Sequence, residues 1–200
     1  MTKIGIFGGA FDPPHIGHVG LALWVTHKLC LKKTLIIPTG EPAHKAACVA
    51  PFADRLEMAR LAFDYPKIFE ISDIENRSGK SYAIDTIREL KKSRPSGTKF
   101  FLIMGGDMLA GFDGWREYGQ ILRECTVVAA AREHNRDELR KYSEKFGIAL
   151  IGAPVMPASS TAIRTALAAG EPRGYNTVGA LPEKVYHYIK QKGLYHNADS

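Results

Sequence analysis

No stretch of this 200-residue chain is apolar enough to span a membrane: the longest run, Val19-Gly20-Leu21-Ala22-Leu23-Trp24-Val25, falls far short of the ~20 residues required. Cysteine is scarce. Cys30, Cys48 and Cys125 are scattered, odd in number and never in C-x-x-C spacing, which speaks against a disulfide framework or structural zinc and for a reducing compartment. Basic residues outnumber acidic ones, 27 to 21, for a net charge of +6, yet no basic block is long enough to form an arm. Lys32-Lys33 and Lys91-Lys92-Ser93-Arg94 read instead as helix ends, where cations complement the dipole. With no aromatic strand of an RNA-recognition domain either, no nucleic-acid partner is expected. No signal-peptide core is visible, so the expected location is the cytoplasm, away from membranes.

What remains is an ordinary globular composition, 45% hydrophobic and 24% charged, of a size to bury one core. The chain reads as a single domain, 1–200, with 182–195 as its closing helix and tail. It is organised around Gly8-Gly9-Ala10-Phe11-Asp12-Pro13-Pro14-His15-Ile16-Gly17-His18. An apolar strand precedes this stretch and a packed helix follows it. Gly8 and Gly9 allow close approach of the backbone to a ligand. His15 and His18, three apart, share a helix face, and the first helical N–H groups favour an anion. Alone, His15 could be a surface residue, His18 a hydrogen-bonded core residue and the glycine pair a tight turn. Together they describe a phosphate site. It is neither a P-loop nor the spaced G-x-G-x-x-G of dinucleotide folds.

Strands are expected at 34–38, 68–74, 99–104, 126–130 and 148–151, and helices at 51–63, 115–122, 137–146, 160–169 and 182–192, with Gly170 and Gly193 as C-caps. Ser81 reads as the N-cap of a further helix carrying Ile84, Ile87 and Leu90 on one face. This alternation predicts an α/β fold, a Rossmann-like open, mainly parallel sheet with helices on both faces. Ligands of such sheets lie beyond the carboxyl ends of the strands. The loops 8–18, 39–45, 105–107 and 152–160 all follow strands and so share one rim.

Pro157-Ala158-Ser159-Ser160-Thr161-Ala162-Ile163-Arg164 opens a helix at that rim. Either serine could simply cap it, but Arg164 lies one turn on and can reach an anion at the helix start. Lys45 in a polar loop could be merely solvated or act as a mobile point charge. Asp107 could be a turn former after Gly105-Gly106. Trp115, preceded by Phe112-Asp113-Gly114, could be core or a stacking platform; Tyr82 and Thr86 could pack and cap.

The segment from Gly9 to His18 resembles the G-x-F-x-P-x-H-x-G-H signature of the nucleotidylyltransferase superfamily. The segment from Ala158 to Arg164 resembles its I-S-S-T-x-I-R signature, with Ala158 at the isoleucine. Over essentially its full length the chain is similar to bacterial-type nicotinate mononucleotide adenylyltransferases. Glu41-Pro42-Ala43-His44-Lys45, Ser81-Tyr82-Ala83-Ile84-Asp85-Thr86 and Gly105-Gly106-Asp107-Met108-Leu109 with Trp115 resemble further segments of that family, Gly106 replacing an alanine. The resemblance implies transfer of the adenylyl group of ATP to nicotinate mononucleotide, with Mg²⁺ held mainly by the substrate phosphates and no dedicated metal ligands. It implies His18, His15, Lys45 and Arg164 as catalytic. Gly8, Gly9, Phe11, Gly105, Asp107, Ser159, Ser160 and Thr161 would join the phosphate and ATP site. Ala10, Phe11, Lys45, Tyr82, Thr86, Trp115 and Arg132 would line the mononucleotide site. Nicotinamide mononucleotide, phosphopantetheine or non-catalytic nucleotide binding are the alternatives. The oligomeric state is open, a homodimer being one option.

Overall fold

A computed structural model describes residues 1–43, 47–131, 136–154, 157–174 and 177–196. Six parallel strands form its main sheet: β1 (Lys3–Gly9), β2 (Lys33–Pro38), β4 (Phe69–Ile71), β6 (Lys99–Gly105), β7 (Thr126–Ala131) and β8 (Ala149–Gly152). Their order across the sheet is β4-β2-β1-β6-β7-β8, so the chain winds outward from β1 in one direction and then, from β6, in the other. The crevice between β1 and β6 is the switch point where such sheets bind ligands.

Both faces are covered, as the run of apolar residues in each strand requires. Alternation along the strands divides the core. Phe7, Ile36 and Ile103 face one layer with α1 (Ile16–Lys28), α2 (Phe52–Ala62), α6 (Ser160–Ala168) and α7 (Glu183–Lys192). Ile4, Ile6, Leu35, Ile37, Leu102 and Met104 face the other, with α3 (Ala83–Ser93), α4 (Tyr118–Glu124) and α5 (Arg136–Phe146). The expected α/β architecture is the observed one. Gly193 ends α7 in the left-handed region at φ 62°, the C-cap its position implied.

Three local expectations are corrected. The helix expected from Trp115 starts at Tyr118, because Glu117 is left-handed at φ 52°. Before it, Gly106–Gly114 forms 3-10 turns in place of a bare turn. Ser81 does not cap α3. It belongs to β5 (Lys80–Ser81), which pairs with β3 (Glu41–Pro42) in a two-stranded parallel ribbon, and Tyr82 takes the N-cap position.

Candidate active site

Parallel strands deliver their loops to a single rim, and the 8–18 loop lies at its centre. Phe11 is left-handed at φ 47° and its ring turns under Gly9; a Cβ on Gly9 would stand 3.2 Å from it. Buried against Phe7, Phe63 and His18, that ring forms the floor of the loop. His15 is extended and N-caps α1. Its backbone N–H donates to Nδ1 of His18 at 3.3 Å, and the two rings stack with centroids 3.7 Å apart. An accepting Nδ1 places the proton of a neutral imidazole on Nε2. Burial pushes the His15 pKa down to about 4, so that ring is neutral at physiological pH. Its Nδ1 is buried without a hydrogen-bond partner among the described residues.

The second half of the site is built on α6. Ser159 caps the helix by accepting the Ala162 N–H at 3.4 Å. Ser160 Oγ donates to the Pro13 carbonyl at 2.8 Å. Arg164 donates to the Asp12 carbonyl at 2.7 Å and, through its other terminal nitrogen, to Thr161 Oγ1 at 3.4 Å. The two ends of the sequence therefore meet on one loop. The first turns of α1 and α6 both leave N–H groups for an anion there.

Across the switch point β6 ends at Gly105. The exposed Asp107 carboxylate folds back over that residue so closely that a Cβ would collide with Oδ1. Trp115 is half-buried, 5.5 Å from Phe112 between ring centroids. The neighbouring Arg116 guanidinium lies 4.7 Å over the ring of Tyr82. Thr86 points inward: it is buried and its hydroxyl donates to Glu75 Oε1 at 2.8 Å. Lys45 and Arg132 lie outside the described residues.

Residues 6–166 match the cytidylyltransferase-like family model. A Dehalococcoides mccartyi protein named "Probable nicotinate-nucleotide adenylyltransferase" is 36% identical over 202 residues, covering 97% of each chain. One of the same name from Halalkalibacterium halodurans is 37% identical over 203 residues, covering 100% of this chain and 94% of its own. The chain belongs to the nicotinate-nucleotide adenylyltransferase family. Its fold is that of the Plasmodium falciparum nicotinic acid mononucleotide adenylyltransferase solved with NaAD, at a TM-score of 0.81, 20% identity and 98% coverage of both chains.

Beneath the family's signature loop lie three residues that sequence reasoning missed. Asp12, Arg55 and Tyr195 are all buried. Arg55 donates to the carbonyls of Ala10 at 2.8 Å, Thr39 at 2.7 Å, Gly40 at 3.2 Å and Ala50 at 3.1 Å. One guanidinium thus holds the signature loop and both roots of the 39–50 loop. Its signal was positional: 55, 59 and 62 form the buried stripe of α2, and a cation on an apolar stripe needs acceptors. Tyr195 follows the end of a helix in a left-handed conformation, where no periodicity points to it.

Among the described residues no three His, Cys, Asp or Glu side chains gather to hold a metal ion. The donors that do gather are imidazole, hydroxyl, guanidinium and backbone N–H groups, which suit phosphate oxygens.

Proposed function

We propose that the protein transfers the adenylyl group of ATP to the 5′-phosphate of nicotinate mononucleotide, giving nicotinate adenine dinucleotide and pyrophosphate. The observation that carries this reading is the meeting of the His15–His18 stack with Arg164 and Ser160 on the 12–18 loop. Full-length relatives of that name support it. A phosphate oxygen of the mononucleotide attacks the α-phosphorus in line, the bond from that phosphorus to the bridging oxygen breaks, and pyrophosphate leaves with the electron pair. The attacking phosphate is already ionised and needs no base, so catalysis is positioning and charge stabilisation.

His18 donates from Nε2 to an α-phosphate oxygen, and neutral His15 stands beside it on the triphosphate. Arg164, Ser159, Ser160 and the α6 N–H groups hold the β- and γ-phosphates. Gly8, Gly9 and Gly105 let the backbone approach, and Asp107 stands at the nucleotide side of the rim. The ring of Trp115 offers the pyridine a stacking surface, with Tyr82 near it. Mg²⁺ would be held mainly by the triphosphate oxygens and would supply charge neutralisation; the imidazole, hydroxyl and guanidinium donors of the site suit that arrangement better than a protein cage. Among the described residues no helix is long and apolar enough to cross a membrane, and we place the reaction in the cytoplasm.

The test is pyrophosphate release from ATP and Mg²⁺ with nicotinate and nicotinamide mononucleotides in parallel. Faster release with the acid is expected. Faster release with the amide would reassign the acceptor, and release with neither would retire the reaction.

A further inference from the structure

The signature loop is tied down from below by a single carboxylate. Asp12 Oδ2 accepts the Val49 N–H at 2.7 Å, and Oδ1 accepts the Ala50 N–H at 3.1 Å. Oδ1 also accepts the hydroxyl of Tyr195, 183 positions later, at 2.7 Å. The Asp12 carbonyl takes the 2.7 Å hydrogen bond from Arg164. One residue, three positions before His15, therefore joins the signature loop, the end of the 39–50 loop, the chain's closing tail and the arginine of the second signature.

Anchoring the tail does not need the phenolic oxygen. Val185 and Ile189 of α7 are fully buried in the core, and Leu194 packs against it. The hydroxyl adds direction. Tyr195 is left-handed at φ 64°, and burial together with the Asp12 carboxylate pushes its pKa up, so the phenol keeps its proton and remains a donor to that carboxylate.

We propose that Asp12 and Tyr195 are positioning residues for adenylyl transfer, a role that rests on the function proposed above. The Tyr195–Asp12 bond fixes the loop so that His15, His18 and Arg164 keep the spacing that in-line transfer demands. Both side chains are buried, and their effect runs through the loop residues they hold. Displacing catalytic groups by a fraction of an ångström lowers turnover steeply without weakening ground-state binding.

The experiment is Tyr195→Phe, which keeps the ring and removes the hydroxyl. Turnover and the nitrogen-15 chemical shifts of the His15 and His18 imidazoles are both measured. In the variant kcat is expected to fall about tenfold with KM for both substrates within about twofold, and the imidazole shifts to move. Asp12→Asn, which forfeits one accepting oxygen, should lose more; if it does not fold, Tyr195→Phe decides alone. A kcat within about twofold of wild type, or unmoved imidazole shifts, would overturn the proposal. A wild-type protein without turnover would retire the adenylyl-transfer reading, and the imidazole shifts would then decide whether Tyr195 sets the loop geometry.

Discussion

Gly17 and His15 are in such close approach that a Cβ on Gly17 would stand 3.0 Å from Nδ1 of the imidazole and 3.1 Å from Cε1. The ring cannot retreat freely, because it is buried and stacked on His18. Gly17→Ala is therefore expected to push the stack and lower turnover by about tenfold or more. Alanine in a helix is also intrinsically favoured over glycine by ~1 kcal/mol. The thermal midpoint should hold or rise while pyrophosphate release falls. Full activity in the variant would show that the ring yields without consequence.

His18→Ala removes the donor placed on the α-phosphate. Losing one such preorganised donor costs ~10²–10³ in turnover. Stopped assays of pyrophosphate release, beside circular dichroism, check both halves: near-normal turnover in a folded variant would remove His18 from the mechanism.

Stability should carry the mark of His15. Its folded pKa, about 4, lies below the ordinary 6.5 because burial disfavours the imidazolium. As pH falls from 6.5 toward 4 the unfolded chain takes up a proton that the folded chain refuses, so this residue's contribution is present above 6.5 and lost on the way down to 4. The full window amounts to about 3 kcal/mol. Urea unfolding of wild type and His15→Gln at several pH values measures it. The difference between the two should narrow as pH drops through that window, and a difference independent of pH would place the imidazolium in the folded state.

Much of this was legible because apolar alternation and glycine punctuation are local signals. The apolar run before Gly8 marked a buried strand, and Gly170 and Gly193 marked helix ends. Both signatures could be placed on one rim before any coordinates, since each follows a strand. The ribbon of β3 and β5 was not legible, its two-residue strands being too short for any period. Nor was the break before α4, where Glu117 adopts a left-handed conformation that nothing in its identity demands. The ties beneath the loop were hidden for another reason: Asp12 and Tyr195 are partners only once the whole chain has folded around them.

Arg55 makes the clearest stability prediction. It is 2% exposed and its fork reaches four carbonyls on three separate segments. Lysine keeps the charge but offers its donors from one atom, so at least one buried carbonyl is left unpaired. Arg55→Lys should cost about 2–3 kcal/mol, read as a shift in urea midpoint at unchanged slope. A cost under about 0.5 kcal/mol would mean that lysine or water can replace the fork.

Gly106 stands where the resemblance leads one to expect alanine, and the structure supplies a reason. A Cβ there would come within 2.5 Å of Leu139 Cδ1 and 2.9 Å of the Ala130 carbonyl oxygen. Leu139 of α5 is buried and occupies the volume a methyl group would need. Restoring the alanine is thus an overpacking change, and Gly106→Ala should destabilise by about 1–2 kcal/mol. Leu139→Ala alone should also destabilise, by about 2–4 kcal/mol, through the cavity it leaves. The two together should cost less than their sum by roughly 0.5–1 kcal/mol, since each fills or vacates the other's space. The recovery should be incomplete, because Ala130 is strand backbone and cannot move aside. Thermal or urea melts of the four proteins close the cycle; strict additivity would mean that Leu139 is not what keeps position 106 a glycine.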